Sequence, residues 1–508
     1  MKLIYLLLTL FIFKGIFWAI LIPIWQAPDE PNHFANVQFT GETSKLYVGR
    51  GDQNLSAEIA KSAKFLNFPL NLNLSEGIAP SWKPDFSQNF FGEFEDEIRN
   101  ISKESKYDFV AVVGGVKAPP LYYISAGLFY KIFSAVSLIE RVFLLRFLSV
   151  VLGTGVVWLS YLLTKELLLG EKTSLAVAII VGFHPTFNAL SSTINPDIML
   201  IFLVSTFLYL GVKILKKSDF NPKDLSFFFA SLVAAILTRF ISLSLFIPSI
   251  IVLIPQKIYL IWLIVILFLA GNLVLFRSPG LLGEFGQFFT NFSPISFINF
   301  ASYSFIHYNS EVFSWYWAVF GWLEAALPLN SYRVLRVLTA VSVTGLIWLV
   351  FSWVRQKKFD RNSLVWAFIV VTILSTTGVF VLFDWQTFDR TGIGFGVQGR
   401  HFLTAISAQI ILFTVGIVTI LKKFKIPERY SLLFLSFWFI FLNLLSIWVM
   451  INFFYQTTDI DTLILRASQY KPYFSKGPFF LFWTSLFLIF LLIFTVKFFL
   501  EFKKSDER

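Results

Sequence analysis

The chain has 508 residues, of which 56% are hydrophobic and 14% charged, with no cysteine and a formal net charge of +11. A mean hydropathy of +0.70 excludes a soluble domain of this length, and the lack of cysteine excludes disulfides and thiolate metal sites. The positive charge does not point to nucleic acid, because most basic residues sit in short loops between apolar runs, a distribution that reports membrane topology.

Apolar runs long enough to cross about 30 Å of hydrocarbon recur along the chain. They begin at Leu3, Val142, Ser174, Ile198, Leu225, Ile241, Ile258, Val334, Leu364, Phe402, Leu432 and Phe479, which predicts an all-α polytopic bundle of about twelve spans. The first run, Leu3 to Ile24, is too long for a signal-peptide core and no small-residue cleavage site follows it, so it reads as a retained span. The 63 Phe and 15 Trp suit lipid-facing and interfacial surfaces. The loops Thr164–Thr173, Lys213–Asp224, Val354–Asn362 and Leu421–Arg429 and the tail Lys497–Arg508 are basic. Placing them in the cytoplasm puts both termini inside and predicts a multi-pass protein of the cell membrane.

Ala118–Ser137 is apolar enough to cross. A crossing would put the basic loops near Lys172 and Lys216 outside, unless Leu225–Ile254 merged into one helix. A helix lying in the membrane interface, opened by Pro119 and Pro120, is the preferred reading. Residues 1–508 then form one membrane domain with two large extracytoplasmic loops, 25–141 and 277–333. The first holds an amphipathic helix around Ser56–Phe65. Shorter outer stretches are Ser191–Asp197 and Asp384–Arg400.

The distinctive polar residues gather on that face: Asp29, Glu30, His33, Lys117, Asn195, Asp197, Arg239, Gln398 and Arg400. In APDEPNHF, Pro28 and Pro31 stiffen the turn that carries Asp29 and Glu30. One carboxylate of such a pair can act as a base while the other accepts orienting hydrogen bonds; alternatively the pair caps a following helix. Lys117 precedes the rigid PPLYY segment, which contains Tyr122, and offers a point charge for a phosphate. Asn195–Asp197 reads as a turn and helix cap, or as part of a site. Arg239 lies between two apolar runs, where a charge needs a cavity, a partner or water. In GIGFGVQGRHF, glycines precede Arg400, whose fork suits phosphate. No metal-ligand spacing is present, so no cofactor is expected, although a divalent ion is possible.

The order APDEPNHF, KAPPLYY, NPD and QGRHF, from Pro28 to Phe402, resembles the GT-C membrane glycosyltransferases. These include protein O-mannosyltransferases and the transferase that adds aminoarabinose to lipid A. Nearest in pattern is a largely uncharacterised bacterial family with PPDEPxH, PPLYY, NPD and QGRY-like motifs; this chain departs from it at Ala27 and His401. The resemblance implies an inverting enzyme that moves a sugar from a polyprenyl-phosphate donor to an extracytoplasmic glycan, lipid or protein acceptor. It implies Asp29 as the base with Glu30 in support, and Lys117, Arg239 and Arg400 at the donor phosphate. Asp197 would orient the acceptor or position Lys117, and His33, Tyr122, Asn195 and Gln398 would complete the binding site. A transporter or flippase of lipid-linked sugars is the alternative; it should place ionisable residues deep in several spans.

Overall fold

The computed structural model describes residues 2–46, 53–66, 93–111, 119–217, 221–254, 293–355, 361–394 and 396–503. Lys117 and the run beginning at Ile258 lie outside these residues.

The chain opens with α1 (Leu3–Leu21), followed by α2 (Glu30–Thr43), α3 (Ala57–Phe65), α4 (Glu93–Arg99) and α5 (Leu121–Lys131). Then come α6 (Leu138–Glu166), α7 (Glu171–Phe183), α8 (Pro185–Leu190), α9 (Asp197–Lys216), α10 (Pro222–Thr238) and α11 (Phe246–Leu253). The C-terminal part holds α12 (Pro294–His307), α13 (Phe313–Trp317), α14 (Leu329–Arg355), α15 (Arg361–Thr391), α16 (Ile406–Lys423), α17 (Glu428–Met450), α18 (Ile460–Ala467) and α19 (Pro478–Lys503).

Among the described residues, eight helical segments are long and apolar enough to cross a membrane: Leu3–Leu21, Leu138–Glu166, Asp197–Lys216, Leu329–Arg355, Arg361–Thr391, Gly399–Lys423, Glu428–Tyr455 and Pro478–Lys503. The count of twelve is thus not reached there. The runs at Ser174, Leu225 and Ile241 form helical segments below that length. The run at Ser174 breaks because Pro185 has no N–H to continue the ladder. His184 Nδ1 accepts the Phe187 N–H at 3.4 Å, and Asn188 Nδ2 donates to the Gly182 and His184 carbonyls at 3.0 and 2.7 Å. Lys14, fully buried in α1, donates to the Gly182 carbonyl and lies over the Phe183 and Phe11 rings at 4.1 and 4.6 Å. The break is tolerated because buried side chains satisfy the carbonyls it frees.

The segment Ala118–Ser137 contains only the eleven-residue α5, about 16 Å long, too short to cross. It packs on α2. Helix α3 appears where the sequence places it, with the Ser56 hydroxyl accepting the Ile59 N–H at 3.3 Å as its cap. Strands β1 (Gln53–Ser56) and β2 (Phe109–Ala111) pair antiparallel beside it. Gln38 ties this layer together, donating to Glu58 at 2.8 Å and accepting from Ser56 at 2.6 Å. Arg141 of α6 pairs with Glu58 and donates to the Tyr130 hydroxyl at 2.6 Å. This network anchors α2, and hence the turn before it, to the start of α6.

Candidate active site

The turn between α1 and α2 holds the acid pair, and the two carboxylates do different things. Glu30 is fully buried and gripped by the Arg146 fork, with Nε to Oε1 at 2.8 Å and Nη2 to Oε2 at 2.6 Å. Its Oε1 also accepts the Ile194 N–H at 3.2 Å. Arg146 uses its remaining donors on the Ala19, Ile22 and Pro23 carbonyls, the free C-terminal end of α1. Lys471 adds a bond to Ile22 at 3.0 Å. Glu30 therefore locks the end of α1, the start of α2 and the 191–197 turn together.

Asp29 is about one-third exposed. It takes a left-handed backbone conformation, φ 63°, uncommon for a residue with a side chain. Its carbonyl accepts the His33 N–H at 3.0 Å, so its backbone starts α2, yet its side chain makes no capping bond. The carboxylate instead accepts from Arg400 Nη2 at 2.5 Å. Burial, the largest single influence, raises the Asp29 pKa, but the Arg400 charge and hydrogen bond, with smaller help from His33 and Arg239, together outweigh it and hold the group below its ordinary value.

A second acid–arginine pair faces the first: Arg239 Nη2 lies 2.6 Å from Asp197 Oδ1. Asp197 is the first residue of α9, after Pro196 at the N-cap, and the Asn195 Oδ1 just before accepts the Ile198 N–H at 3.2 Å. Asn195 also donates to Leu190 and Thr193, so this turn consumes its amide. Between the pairs sits His33, buried, with Nδ1 2.9 Å from the Tyr123 hydroxyl. Burial lowers its pKa to about 4, and all four charges are near enough to act on it. Tyr122 is buried against Tyr123, ring edge to face.

Arg400 reaches Asp29 because of the glycine before it. A Cβ on Gly399 would lie 2.1 Å from the Tyr316 nitrogen and 2.4 Å from the Val312 carbonyl, so only glycine lets this segment press against α13. The Gln398 N–H contacts His401 Nδ1 at 3.3 Å. His401 itself stacks on Phe380 at 5.1 Å.

Of the sequence candidates, Asp29, His33, Asp197, Arg239 and Arg400 come together. Glu30, Tyr122 and Asn195 support them from behind, Gln398 flanks Arg400, and Lys117 lies outside the described residues. Sequence reasoning missed Arg146 and Lys471. An arginine inside the apolar run that starts at Val142 was the available signal, since a charge at that depth requires a partner. Among the described residues no three His, Asp or Glu side chains form a metal-holding group.

Fold and site together define a multi-helix membrane protein with two arginines and two carboxylates gathered around one helix start. Residues 117–278, about a third of the chain, match the family model described as dolichyl-phosphate-mannose-protein mannosyltransferase. No curated protein matches the chain. Solved structures that are similar at low level include these two. ArnT from Cupriavidus metallidurans bound to undecaprenyl phosphate has a TM-score of 0.41 and 11% identity, over 90% of this chain and 75% of that one. An oligosaccharyltransferase from Archaeoglobus fulgidus in complex with Zn and sulfate has a TM-score of 0.36 and 13% identity, over 70% of this chain and 45% of that one.

Proposed function

We propose that the protein moves a sugar from a polyprenyl-phosphate donor to a hydroxyl acceptor of the cell envelope (glycan, lipid or protein), with inversion, on the extracytoplasmic face. Charge asymmetry between the loops supports that orientation, with both termini cytoplasmic. The observation that carries the reading is the pairing of Asp29 with Arg400, 2.5 Å apart, beside Asp197 and Arg239 at 2.6 Å. It sets a carboxylate beside two guanidiniums, groups whose chemistry suits a base and a phosphate.

In this reading Asp29 takes the proton of the acceptor hydroxyl as its oxygen attacks the sugar's anomeric carbon. The bond from that carbon to the phosphate oxygen breaks, and its electrons remain on the phosphate. Arg400 and Arg239 offset the growing charge, with Lys117 a further candidate. Arg400 links the two tasks. With no donor present it depresses the basicity of Asp29. When the donor phosphate draws the guanidinium away, Asp29 regains basicity in the loaded site only. Asp197 keeps Arg239 aimed, Glu30 fixes the Asp29 turn, and His33 stays neutral and orients against Tyr123.

Lipid analysis of a strain lacking this protein tests the reading. Accumulation of a polyprenyl-phosphate sugar, reversed by the wild-type chain and not by Asp29→Asn, is expected. Unchanged levels of every lipid-linked sugar would contradict it.

A further inference from the structure

Next to the Asp29 turn lies a partly open cavity of about 50 Å³, several times the 10–15 Å³ or so that one water needs. Gln26, Thr193, Asn195, Trp315 and Arg400 line it, with apolar walls that include Leu190 and Phe320. Most polar groups of this wall are occupied. Thr186 donates to the Trp315 carbonyl at 3.1 Å, Thr193 to Ala189 at 3.0 Å, and the Asn195 amide is consumed as described. Two groups are not. Gln26 is 1% exposed, and both atoms of its amide lack a hydrogen-bond partner among the described residues. Arg400 Nε is likewise without one.

A buried amide with neither end satisfied is a costly arrangement that native proteins rarely keep without a ligand or water. Gln26 offers a donor and an acceptor side by side, which matches neighbouring hydroxyls that each give and take a hydrogen bond. The apolar and aromatic walls match the C–H faces of a sugar ring. A purely apolar ligand would leave the amide stranded, and an anion would use only its donor end. We propose that this cavity receives the hydroxyl-bearing edge of a sugar ring, with Gln26 reading two of its hydroxyls and Arg400 Nε holding a third oxygen. Since Arg400 also holds Asp29, the ring sits within one side chain of the proposed base. The inference rests on the glycosyl-transfer reading and adds to it the residue that selects the sugar.

The test uses the full chain in detergent, with thermal unfolding as the readout. Probes are a panel of methyl hexosides, and decaprenyl phosphate with and without an attached hexose. At least one methyl hexoside should raise the wild-type Tm. Gln26→Leu should abolish that shift while its ligand-free Tm stays equal or rises, because the buried amide is gone. Gln26→Glu should reorder the panel. If Gln26→Leu also erases the preference for glycosylated over bare decaprenyl phosphate, the ring is the donor's. If that preference survives while the hexoside shift is lost, the ring is the acceptor's; either result supports a sugar site. The proposal is overturned if no hexoside stabilises the wild type, or if Gln26→Leu shows the same shift. Failure of bare decaprenyl phosphate to bind the wild type would sink the lipid-donor reading, and the hexoside arm would still decide the cavity.

Discussion

Replacing Glu30 by Gln should unfold the site rather than slow its chemistry. The change keeps the side chain's size but removes the counter-charge of Arg146, and both residues have fully buried side chains. Arg146 would keep its bonds to the Ala19, Ile22 and Pro23 carbonyls. It would lose one of its two short bonds to residue 30, since an amide offers only one acceptor atom. Breaking a buried pair from one side costs about 3–5 kcal/mol. The surviving carbonyl partners put Glu30→Gln near the lower end, at about 3 kcal/mol. The assay is thermal unfolding in detergent, followed by tryptophan fluorescence. Arg146→Met should cost a similar amount by leaving the Glu30 charge stranded. The Glu30→Met/Arg146→Met double variant should lose clearly less than the sum of its single changes, because no buried charge remains. A wild-type melting curve for Glu30→Gln, or strict additivity in the double variant, would refute the clamp.

Arg400→Ala should weaken donor binding by about ten- to a hundredfold, the usual worth of a hydrogen bond to a charged group, and Arg400→Lys should restore only part of it because the planar fork is lost; equilibrium binding of a polyprenyl-phosphate sugar measures both. The His33 pKa is lowered from 6.5 to about 4, so the unfolded chain takes up that proton first and stability should fall as pH drops from 6.5 towards 4. The fall of Tm across that range should be shallower in His33→Asn than in the wild type; an equally steep fall would place the effect elsewhere. Gly399→Ala should lower the Tm and cut transfer by about a hundredfold, because backbone atoms at 2.1 and 2.4 Å must move and carry Arg400 with them. Transfer equal to wild type would show that the segment has room.

The membrane character, the short helix at residues 121–131 and the gathering of Asp29, Asp197, Arg239 and Arg400 were legible in the sequence. Hydropathy and proline or glycine punctuation are local signals, and they survive folding. The division of labour between Asp29 and Glu30 was not legible. It depends on Arg146, 116 residues further on, entering from another helix. The unpartnered amide of Gln26 was also invisible, since a residue's lack of partners is a property of the packed structure alone. Among the described residues three of the expected runs form shorter helices, because a hydropathy run does not show that Pro185 divides it or that α10 ends at Thr238.

The central claim is that Asp29 is the base, and one variant isolates it. Asp29→Asn keeps the size of the side chain and an acceptor for Arg400, and removes the ability to take a proton. With purified protein, donor binding and transfer to acceptor are measured side by side. Near-normal folding and donor binding are expected, with transfer slowed by about a hundredfold or more. Wild-type transfer by Asp29→Asn would contradict the account and leave the acid at this turn a structural feature of the helix start.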